Sequence, residues 1–453
     1  MRVAIIGAGS SGIAALKGLR DRGIDAIAFE ASDRIGGNWV FGNRNGMSAA
    51  YRQLFINTSR ERMEYADFPM PKSLPDFPHH TQIAEYFDSY ADHFGLREHV
   101  RFDTRVERAV REDDGTWALT LGAEGDSTVE RFDALLVANG HHWDPRWPEP
   151  AFPGHDAFAG RQMHAHAYRD NDIFADRDVV ILGMGNSAMD IAVEASYVAR
   201  RTFLAARRGA WIIPKYMFGR PVDQLPQDPR VPFKVRQRVI HNLIRMHVGD
   251  LTRYGLPKPD HKFGEAHPTV SGRILDRIQH GAITPKPNIA RLDGDAVVFD
   301  DGSREHADAV YCTGYRISFP FFDEDFIAAP DNHIELFRRV FHPDVDNVFF
   351  VALLQPLGAT MPLAEAQGQW IADYLKGEYA LPPRPALMKD IEDDMAAMRK
   401  RYVASKRHTI QVDFDEYLYE LGKERRAGAE RARQAGFTLP VPARARVEEP
   451  ATA

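Results

Sequence analysis

Short, uniformly apolar runs recur along the chain, and polar or amphipathic sequence separates them. Such runs are typical of parallel strands that are buried on both faces of a sheet. The strands expected on this basis are residues 2–6, 26–29, 134–138, 178–182 and 347–352. Residues 105–110 and 117–121 mix polar with apolar positions, which predicts antiparallel strands with one exposed face. Two further short runs, residues 296–299 and 309–312, predict a hairpin-like pair.

Apolar positions at helical spacing fill most of the intervals between these runs. The expected helices are residues 11–22, 81–94, 232–248, 362–376 and 385–405. Because strands and helices alternate along the chain, the pattern predicts an α/β fold with parallel sheets. Residues 35–80 show no regular period, and we expect irregular structure there.

The first expected strand runs into a glycine-rich turn at residues 7–12, which opens the first helix. In the G-x-G-x-x-G fingerprint the first glycine permits a tight turn and the second lets backbone approach a pyrophosphate. The third allows close packing of the helix, and the helix N-terminus attracts negative charge. Glu30 follows the next strand, where its carboxylate can accept hydrogen bonds from a ribose 2′-hydroxyl. The residues of this unit that predict an FAD site are Gly7, Gly9, Ser11, Gly12 and Glu30. A tight turn without a ligand is the alternative.

A second glycine-rich turn follows the expected strand at residues 178–182, and its third fingerprint position is Ala188, a tolerated variant. No carboxylate stands where Glu30 stands in the first unit. Arg207 occupies the comparable place instead, and its guanidinium can pair with a 2′-phosphate. The residues that predict an NADPH site are Gly183, Gly185, Asn186, Ser187 and Arg207. The alternative is that this arginine is an ordinary surface residue.

Two such units predict two dinucleotide-binding, Rossmann-like domains, with the NADPH domain inserted into the FAD domain. A proline-rich stretch at residues 145–153 marks the first crossing between them. The predicted parts are residues 1–149 for the first part of the FAD domain, 150–315 for the NADPH domain, and 316–453 for the second part of the FAD domain with C-terminal helices and a tail. Residues 211–287 form a long insertion in the NADPH domain and are a candidate lid over the substrate entrance.

The expected helix at residues 232–248 lies in this insertion and is amphipathic. One face carries Val235, Val239, Leu243 and Met246, and basic residues occupy other positions. This arrangement predicts a core-facing helix with a solvated basic face, and a membrane-surface or partner-binding helix is the alternative.

Charge and cysteine content narrow the expected partners. Lys and Arg total 57 against 64 Asp and Glu, so the net charge of −7 provides no overall field for nucleic acid. Cys312 is the single cysteine, which excludes an internal disulfide or a thiolate metal site and favours the reducing cytoplasm. No apolar run approaches the roughly 20 residues that span a bilayer, and residues 440–453 read as a solvated tail. Adjacent histidine pairs lack the spacing of metal ligands, so we predict no metal site.

The linker between the two units carries the most specific motif. Residues 158–168 read FAGRQMHAHAY and match F-x-G-x-x-x-H-x-x-x-Y at every fixed position. The chain therefore resembles the flavin-containing monooxygenases, a family of the class B flavoprotein monooxygenases. Tyr168 followed by Arg169 is similar to the amine- and sulfur-oxidising branch, whereas Baeyer–Villiger enzymes usually carry tryptophan at the first of these positions.

Further segments are similar to the cofactor-binding segments of that family. The resemblance implies FAD contacts from Arg34, Gly37, Asn38, Trp39, Val106 and Gln355. It also implies NADPH contacts from Tyr168 and Thr313.

Asn57 lies in a segment, residues 55–59, that resembles the family's active-site loop. The resemblance implies an NADPH- and O2-dependent monooxygenase whose C4a-hydroperoxyflavin oxygenates a soft nucleophile, an amine nitrogen or a sulfide sulfur. An amide at Asn57 can donate to such an adduct without supplying a labile proton, which makes it the candidate catalytic residue. The expected partners are a small-molecule substrate and molecular oxygen. Members of the family often associate, so the resemblance also implies that a homodimer is possible. Alternatives are Baeyer–Villiger oxidation of ketones and a non-catalytic FAD- and NADPH-binding sensor.

Overall fold

A computed structural model describes residues 1–123, 126–225, 228–402 and 409–438 of the 453-residue chain. The expected end of the last helix near residue 405 and the expected tail at residues 440–453 lie outside these ranges.

The first sheet is parallel and has five strands, and residues from both ends of the chain build it. Its strands in spatial order are Val348–Phe350, Ala134–Val137, Arg2–Ile6, Asp25–Phe29 and Val100–Arg101. The predicted buried strands of this region are confirmed, because Val3, Ala4 and Ile5 at the centre have no exposed surface. Val348–Phe350 returns to this sheet beside Ala134–Val137. The residues between these two strands therefore form an insertion.

Helices cover both sheets, and most begin where the sequence pattern predicts. They are α1 (Ser10–Asp21), α2 (Arg60–Met63), α3 (His80–His93), α4 (Asn186–Ala195), α5 (Phe233–Val248), α6 (Ile274–Gln279), α7 (Met361–Leu375), α8 (Arg384–Arg401) and α9 (Phe414–Gln434). Within the described ranges, every helix is too short or too polar to cross a bilayer.

Close packing of α1 on α7 requires glycine on both helices. A Cβ atom on Gly368 would lie 2.7 Å from Ala15 Cα, and one on Gly18 would lie 3.0 Å from the backbone nitrogen of Gln369. Both contacts involve backbone, so a side chain at either position would push the helices apart.

The second sheet is also parallel and five-stranded. Its strands in spatial order are Thr284–Lys286, Arg201–Ala205, Asp178–Leu182, Asp308–Tyr311 and Gln162–His164. Thr284–Lys286 lies within the predicted insertion at residues 211–287, so the last residues of that range belong to the sheet itself.

The predicted hairpin between residues 296–299 and 309–312 is wrong. Ala296–Phe299 pairs antiparallel with Ile289–Asp293 and Arg304–His306, whereas Asp308–Tyr311 pairs parallel with Asp178–Leu182. Residues 309–311 are buried, as a central parallel strand requires. The two apolar runs are neighbours in the sequence, but they belong to different sheets.

Smaller antiparallel and two-stranded elements surround the two main sheets. The three-stranded sheet predicted in part contains Arg105–Arg111, Trp117–Ala123 and Asp126–Phe132. The two-stranded pairs are Ile212–Ile213 with Thr269–Val270, Tyr216–Met217 with Arg220–Pro221, Asp144–Pro145 with Tyr315–Arg316, and Gln355–Leu357 with Gln411–Asp413.

The predicted orientation of α5 is also wrong. Val235, Val239 and Met246 are exposed by 53%, 54% and 74%, whereas Arg236 and Ile244 are buried. Arg236 faces inward because Asp413 and Glu416 lie 3.7 Å and 3.5 Å from its guanidinium. Two carboxylates of the C-terminal segment thus pair with the inward-facing side of the helix.

Candidate active site

One cavity of about 1230 Å³ extends along both glycine-rich turns and the segment that carries Asn57. The sequence-predicted site residues that line it are Gly7, Gly9, Ser11, Glu30, Gly37, Asn38, Trp39, Asn57, Val106, Gly185, Asn186, Ser187, Arg207, Thr313 and Gln355. Gly12, Arg34, Tyr168 and Gly183 lie outside this lining. Both nucleotide turns and the candidate catalytic residue thus meet in one space.

The first turn has the shape that its glycines predict. Gly7 has φ +97°, and a Cβ atom there would lie 2.7 Å from the Ala138 carbonyl oxygen. A Cβ atom on Gly12 would lie 1.9 Å from the Gly7 carbonyl oxygen, so Gly12 shapes the turn without touching the cavity. α1 begins at Ser10, directly after the turn, and its first backbone N–H groups are available to an anion in the cavity.

Glu30 is buried beside this turn, and its carboxylate has several donors. It accepts hydrogen bonds from the backbone N–H of Ala8 at 2.8 Å and of Ser32 at 2.9 Å, and from Asn45 Nδ2 at 3.4 Å. Burial raises the pKa of Glu30, although these hydrogen bonds act in the opposite direction. Sequence reasoning missed Asn45, whose only signal was its place in a Gly- and Asn-rich turn.

A second glycine-rich wall faces the first turn. A Cβ atom on Gly37 would lie 3.1 Å from Gly9 Cα, so the two loops approach more closely than side chains allow. Asn38 Oδ1 accepts a hydrogen bond from the backbone N–H of Ala49 at 2.8 Å, which holds this loop in place. The narrow channel with a helix N-terminus fits a dinucleotide diphosphate. Arg34 points elsewhere, with a side chain that is 60% exposed.

The second turn is held by the insertion. Gly183 has φ +141°, and a Cβ atom there would lie 2.9 Å from the Cys312 carbonyl oxygen. The Thr269 hydroxyl donates to the Met184 carbonyl, and the backbone N–H of Val270 donates to Asn186 Oδ1 at 2.9 Å. α4 begins at Asn186, so this turn also presents a helix N-terminus to the cavity.

Two neighbouring arginines beside the second turn differ in their partners. Arg208 Nη2 lies 2.8 Å from Asp260 Oδ2. Arg207 lines the cavity, and no carboxylate in the described ranges forms an ion pair with it. Its guanidinium is therefore available to a phosphate without displacing an acidic partner from the described part of the chain.

Tyr168 supports α4 from behind rather than lining the cavity. Its ring is fully buried and stacks on Phe174, with centroids 5.7 Å apart, and its hydroxyl donates to Glu194. One helical turn earlier, Asp190 accepts a hydrogen bond from the Tyr51 hydroxyl. Burial raises the pKa of Asp190 to about 6 and that of Glu194 to about 7. Sequence reasoning missed this acid pair, although two carboxylates four positions apart on an apolar helix were a signal.

Asn57 lies on an irregular segment that neighbours hold at both sides. Ile56 is buried, and its backbone N–H donates to the Pro78 carbonyl at 3.1 Å. The backbone N–H of Ser59 donates to Asp223 Oδ2 at 2.6 Å. Asn57 thus borders the cavity from a segment whose backbone is hydrogen-bonded before and after it.

The family of the chain follows from comparison with known proteins. A family model described as Flavin-binding monooxygenase-like matches residues 1–430.

The chain belongs to the flavin-binding monooxygenase-like family.

The chain is 38% identical over 437 residues to flavin-containing monooxygenase 5 of Oryctolagus cuniculus, covering 93% of this chain and 82% of the relative. It is 32% identical over 444 residues to flavin-containing monooxygenase 2 of Homo sapiens, with the same coverage of 93% and 82%.

Solved structures agree on the fold. S-allyl-L-cysteine S-oxygenase from Allium sativum superposes with a TM-score of 0.71 at 27% identity, covering 96% of this chain and 92% of that one. A cyclohexanone monooxygenase superposes with a TM-score of 0.72 at 18% identity, covering 97% and 98%. The predicted α/β fold with two dinucleotide-binding domains is confirmed, as is the predicted flavin-dependent monooxygenase that uses FAD and NADPH.

Proposed function

We propose that this flavin-binding monooxygenase-like protein binds FAD along the first turn and NADPH along the second. We further propose that it oxygenates a soft nucleophile, an amine nitrogen or a sulfide sulfur. The observation that supports this proposal is that Asn57 lines the same cavity as both turns. A structural neighbour named as an S-oxygenase and a relative named as an N-oxide-forming dimethylaniline monooxygenase support this class of substrate.

FAD would lie along the wall that Gly7, Gly9 and Gly37 leave open. Its ribose hydroxyls would donate to Glu30, and its diphosphate would meet the N–H groups at Ser11. The remaining proposed contacts of FAD are Asn38, Trp39, Val106 and Gln355. Gly12 shapes the turn from behind, and the exposed Arg34 stands outside the proposed contacts.

NADPH would bind at the start of α4, through Gly185, Asn186 and Ser187. Arg207 would pair with the 2′-phosphate, which NADH lacks. Thr313 also lines the cavity and completes the proposed contacts. Gly183 and Tyr168 would act indirectly, because one permits the turn and the other holds α4 through Glu194.

Asn57 is the proposed catalytic residue. Bound flavin, once reduced by NADPH, supplies the electrons with which molecular oxygen is activated. The Asn57 amide would donate a hydrogen bond to the activated oxygen, and it has no proton that titrates near neutral pH. A carboxylic acid or ammonium there would offer a labile proton and favour release of hydrogen peroxide.

The Asn57→Ala variant tests this role. We expect reduction of the flavin by NADPH at the wild-type rate, while product formation falls at least about 100-fold, as for loss of one oxyanion-type donor. NADPH oxidation then yields hydrogen peroxide. Undiminished product formation would contradict the assignment.

Competing functions separate by product analysis. The wild-type enzyme is offered a thioether and a cyclic ketone at equal concentration, with NADPH and oxygen. A sulfoxide supports the proposal, whereas a lactone indicates Baeyer–Villiger oxidation. A non-catalytic sensor would consume no oxygen with either compound.

Domain boundaries, association and compartment belong to the same proposal. The domains would comprise residues 1–149, 150–315 and 316–453, and the chain would form a homodimer in the cytoplasm. Light scattering after size-exclusion chromatography measures the association state directly, and a mass of 51.1 kDa would indicate a monomer.

A further inference from the structure

The segment around Asn57 is held from outside by the start of the insertion. Lys215 Nζ donates to the Ile56 carbonyl at 2.8 Å, directly before Asn57 in the chain. Asp223 Oδ2 accepts the backbone N–H of Ser59 at 2.6 Å, two residues after it. Asn57 therefore lies between two hydrogen bonds that residues of the other domain provide.

Lys215 and Asp223 flank one small hairpin. Tyr216–Met217 pairs antiparallel with Arg220–Pro221, and Gly219 at the turn between them has φ +75°. The hairpin closes at its open end because the backbone N–H of Val222 donates to the Lys215 carbonyl at 2.9 Å. Both side chains thus extend from the same end of a locally hydrogen-bonded unit.

The Lys215 ammonium lies near an aromatic ring and a carboxylate. Its Nζ lies 4.8 Å from the centroid of the Phe77 ring, a cation–π distance. Burial lowers the pKa of Lys215, while the Asp190 carboxylate acts in the opposite direction. The half-buried ammonium of Lys215 donates to a backbone carbonyl, and leaving it unpaired in this partly desolvated place would be unfavourable.

We propose that Lys215 and Asp223 are positioning residues for Asn57, an inference that rests on the proposed catalytic role of Asn57. The hairpin holds the backbone before and after Asn57 by one hydrogen bond on each side. These bonds keep the Asn57 amide directed at the cavity while oxygen is activated. The insertion at residues 211–287 then forms part of the catalytic site, in addition to covering it.

If the insertion only covers the site, different results are expected. Loosening a lid changes access, so KM for the substrate shifts while each NADPH oxidised still yields one product molecule. Loosening a positioning contact leaves flavin reduction intact and diverts oxygen to hydrogen peroxide. The ratio of product to NADPH therefore distinguishes the two roles.

Four variants of the FAD-loaded enzyme test the inference. Lys215→Met and Asp223→Ala each remove one hydrogen bond, whereas Lys215→Arg keeps a donor and Asp223→Asn keeps an acceptor oxygen. Tyr216→Phe serves as the matched control, because it removes only the hydroxyl that donates to Asp76 at 2.6 Å from the same hairpin. Flavin content at the wild-type level shows that each variant has folded.

Amide hydrogen exchange supplies a readout that does not depend on turnover. In Asp223→Ala the Ser59 N–H should exchange at least about tenfold faster, because its acceptor is gone. The peptide covering residues 55–60 should also exchange faster in Lys215→Met. Exchange in Asp223→Asn, Lys215→Arg and Tyr216→Phe should stay within about twofold of wild type.

Coupling supplies the second readout. In Lys215→Met and Asp223→Ala the product formed per NADPH should fall at least about threefold, with restoration in the conservative variants. Wild-type exchange at residues 55–60, or undiminished coupling in both variants, would overturn the inference. If Asn57→Ala uncouples the enzyme while the hairpin variants do not, only the positioning role fails. If Asn57→Ala stays coupled, the proposed function fails first.

Discussion

The two nucleotide turns share a backbone plan and differ in how their surroundings complete them. At the first turn, Glu30 already accepts hydrogen bonds from Ala8, Ser32 and Asn45, and Gly37 packs against Gly9. At the second turn, the charged residue Arg207 has no ion pair within the part of the chain that the structure describes. The carboxylate at the first site therefore has several protein partners, whereas no described carboxylate pairs with the arginine at the second.

This difference suits the two cofactors. A preorganised channel of bonded groups and glycines favours a group that stays bound, because little ordering is left to pay for on binding. A cation that has no ion pair among the described residues suits a charged ligand that binds and leaves in each cycle. The insertion adds a second contrast, since Thr269 and Val270 hold the second turn and nothing comparable from that segment holds the first among the described contacts.

The third fingerprint position should give the largest effect. Gly12→Ala places a Cβ atom 1.9 Å from the Gly7 carbonyl oxygen. We expect a penalty of about 3 kcal/mol, the upper end for overpacking, and about 100-fold weaker retention of FAD, measured as flavin absorbance per protein.

The matched substitution at the second turn is Ala188→Gly. It should reduce stability by about 1 kcal/mol, the difference between the helix propensities of glycine and alanine, and leave KM for NADPH within about twofold. Normal flavin content in Gly12→Ala would show that the two turns tolerate the same residues.

Arg207→Ala should give the next largest effect. Loss of a hydrogen bond between charged groups, about 1.5–3 kcal/mol, should raise KM for NADPH about 10- to 100-fold. KM for NADH should change less than about twofold, because NADH has no 2′-phosphate. Arg208→Ala is the control, since its guanidinium already pairs with Asp260. Equal effects on both cofactors would remove the contrast between the two turns.

Asn45→Ala tests whether the first site depends on groups bonded in advance. Loss of one hydrogen bond to Glu30, about 0.5–1.5 kcal/mol, should weaken FAD binding about 2- to 10-fold. Titration of FAD into the flavin-free protein measures this. Asn45→Asp should weaken binding further, because a second carboxylate would face Glu30. Unchanged affinity in both variants would show that these contacts are dispensable.

The pH dependence of stability should give the smallest effect and should trace to the second turn. Burial raises the pKa of Asp190 to about 6 and that of Glu194 to about 7, above their values in an unfolded chain. Their contribution is therefore fully present at low pH and is lost as pH rises through 6 and 7. Between pH 5 and pH 8 we expect Tm to fall by about 1–2 °C more in the wild type than in Asp190→Asn, a small shift because the entropy of unfolding is large for a chain of this length. Parallel curves for the two proteins would contradict this.

Features that depend on local sequence were predicted well. Both turns, the strands that lead into them and the helices that follow are encoded in contiguous residues. The glycine motif and the hydrophobic periodicity were therefore sufficient to predict them. Glu30 and Arg207 lie one strand further on, and the regular strand–helix–strand unit places both beside their turns.

Features that depend on distant contacts were not predicted. Lys215 and Ile56 are 159 positions apart, and no local pattern links them. Hydrophobic spacing predicted that the face of α5 with Val235 and Val239 is buried. The structure instead buries the opposite face, where Arg236 pairs with Asp413 and Glu416. The parallel pairing of Asp308–Tyr311 was missed because a short apolar run does not specify its neighbour.

The insertion touches both the segment of Asn57, through Lys215 and Asp223, and the second glycine-rich turn, through Thr269 and Val270. Recombination between relatives should therefore treat residues 55–60 and 211–287 as one inherited block. Crossovers that take the two stretches from different parents would combine residues whose mutual hydrogen bonds do not match, even where each parent is active by itself.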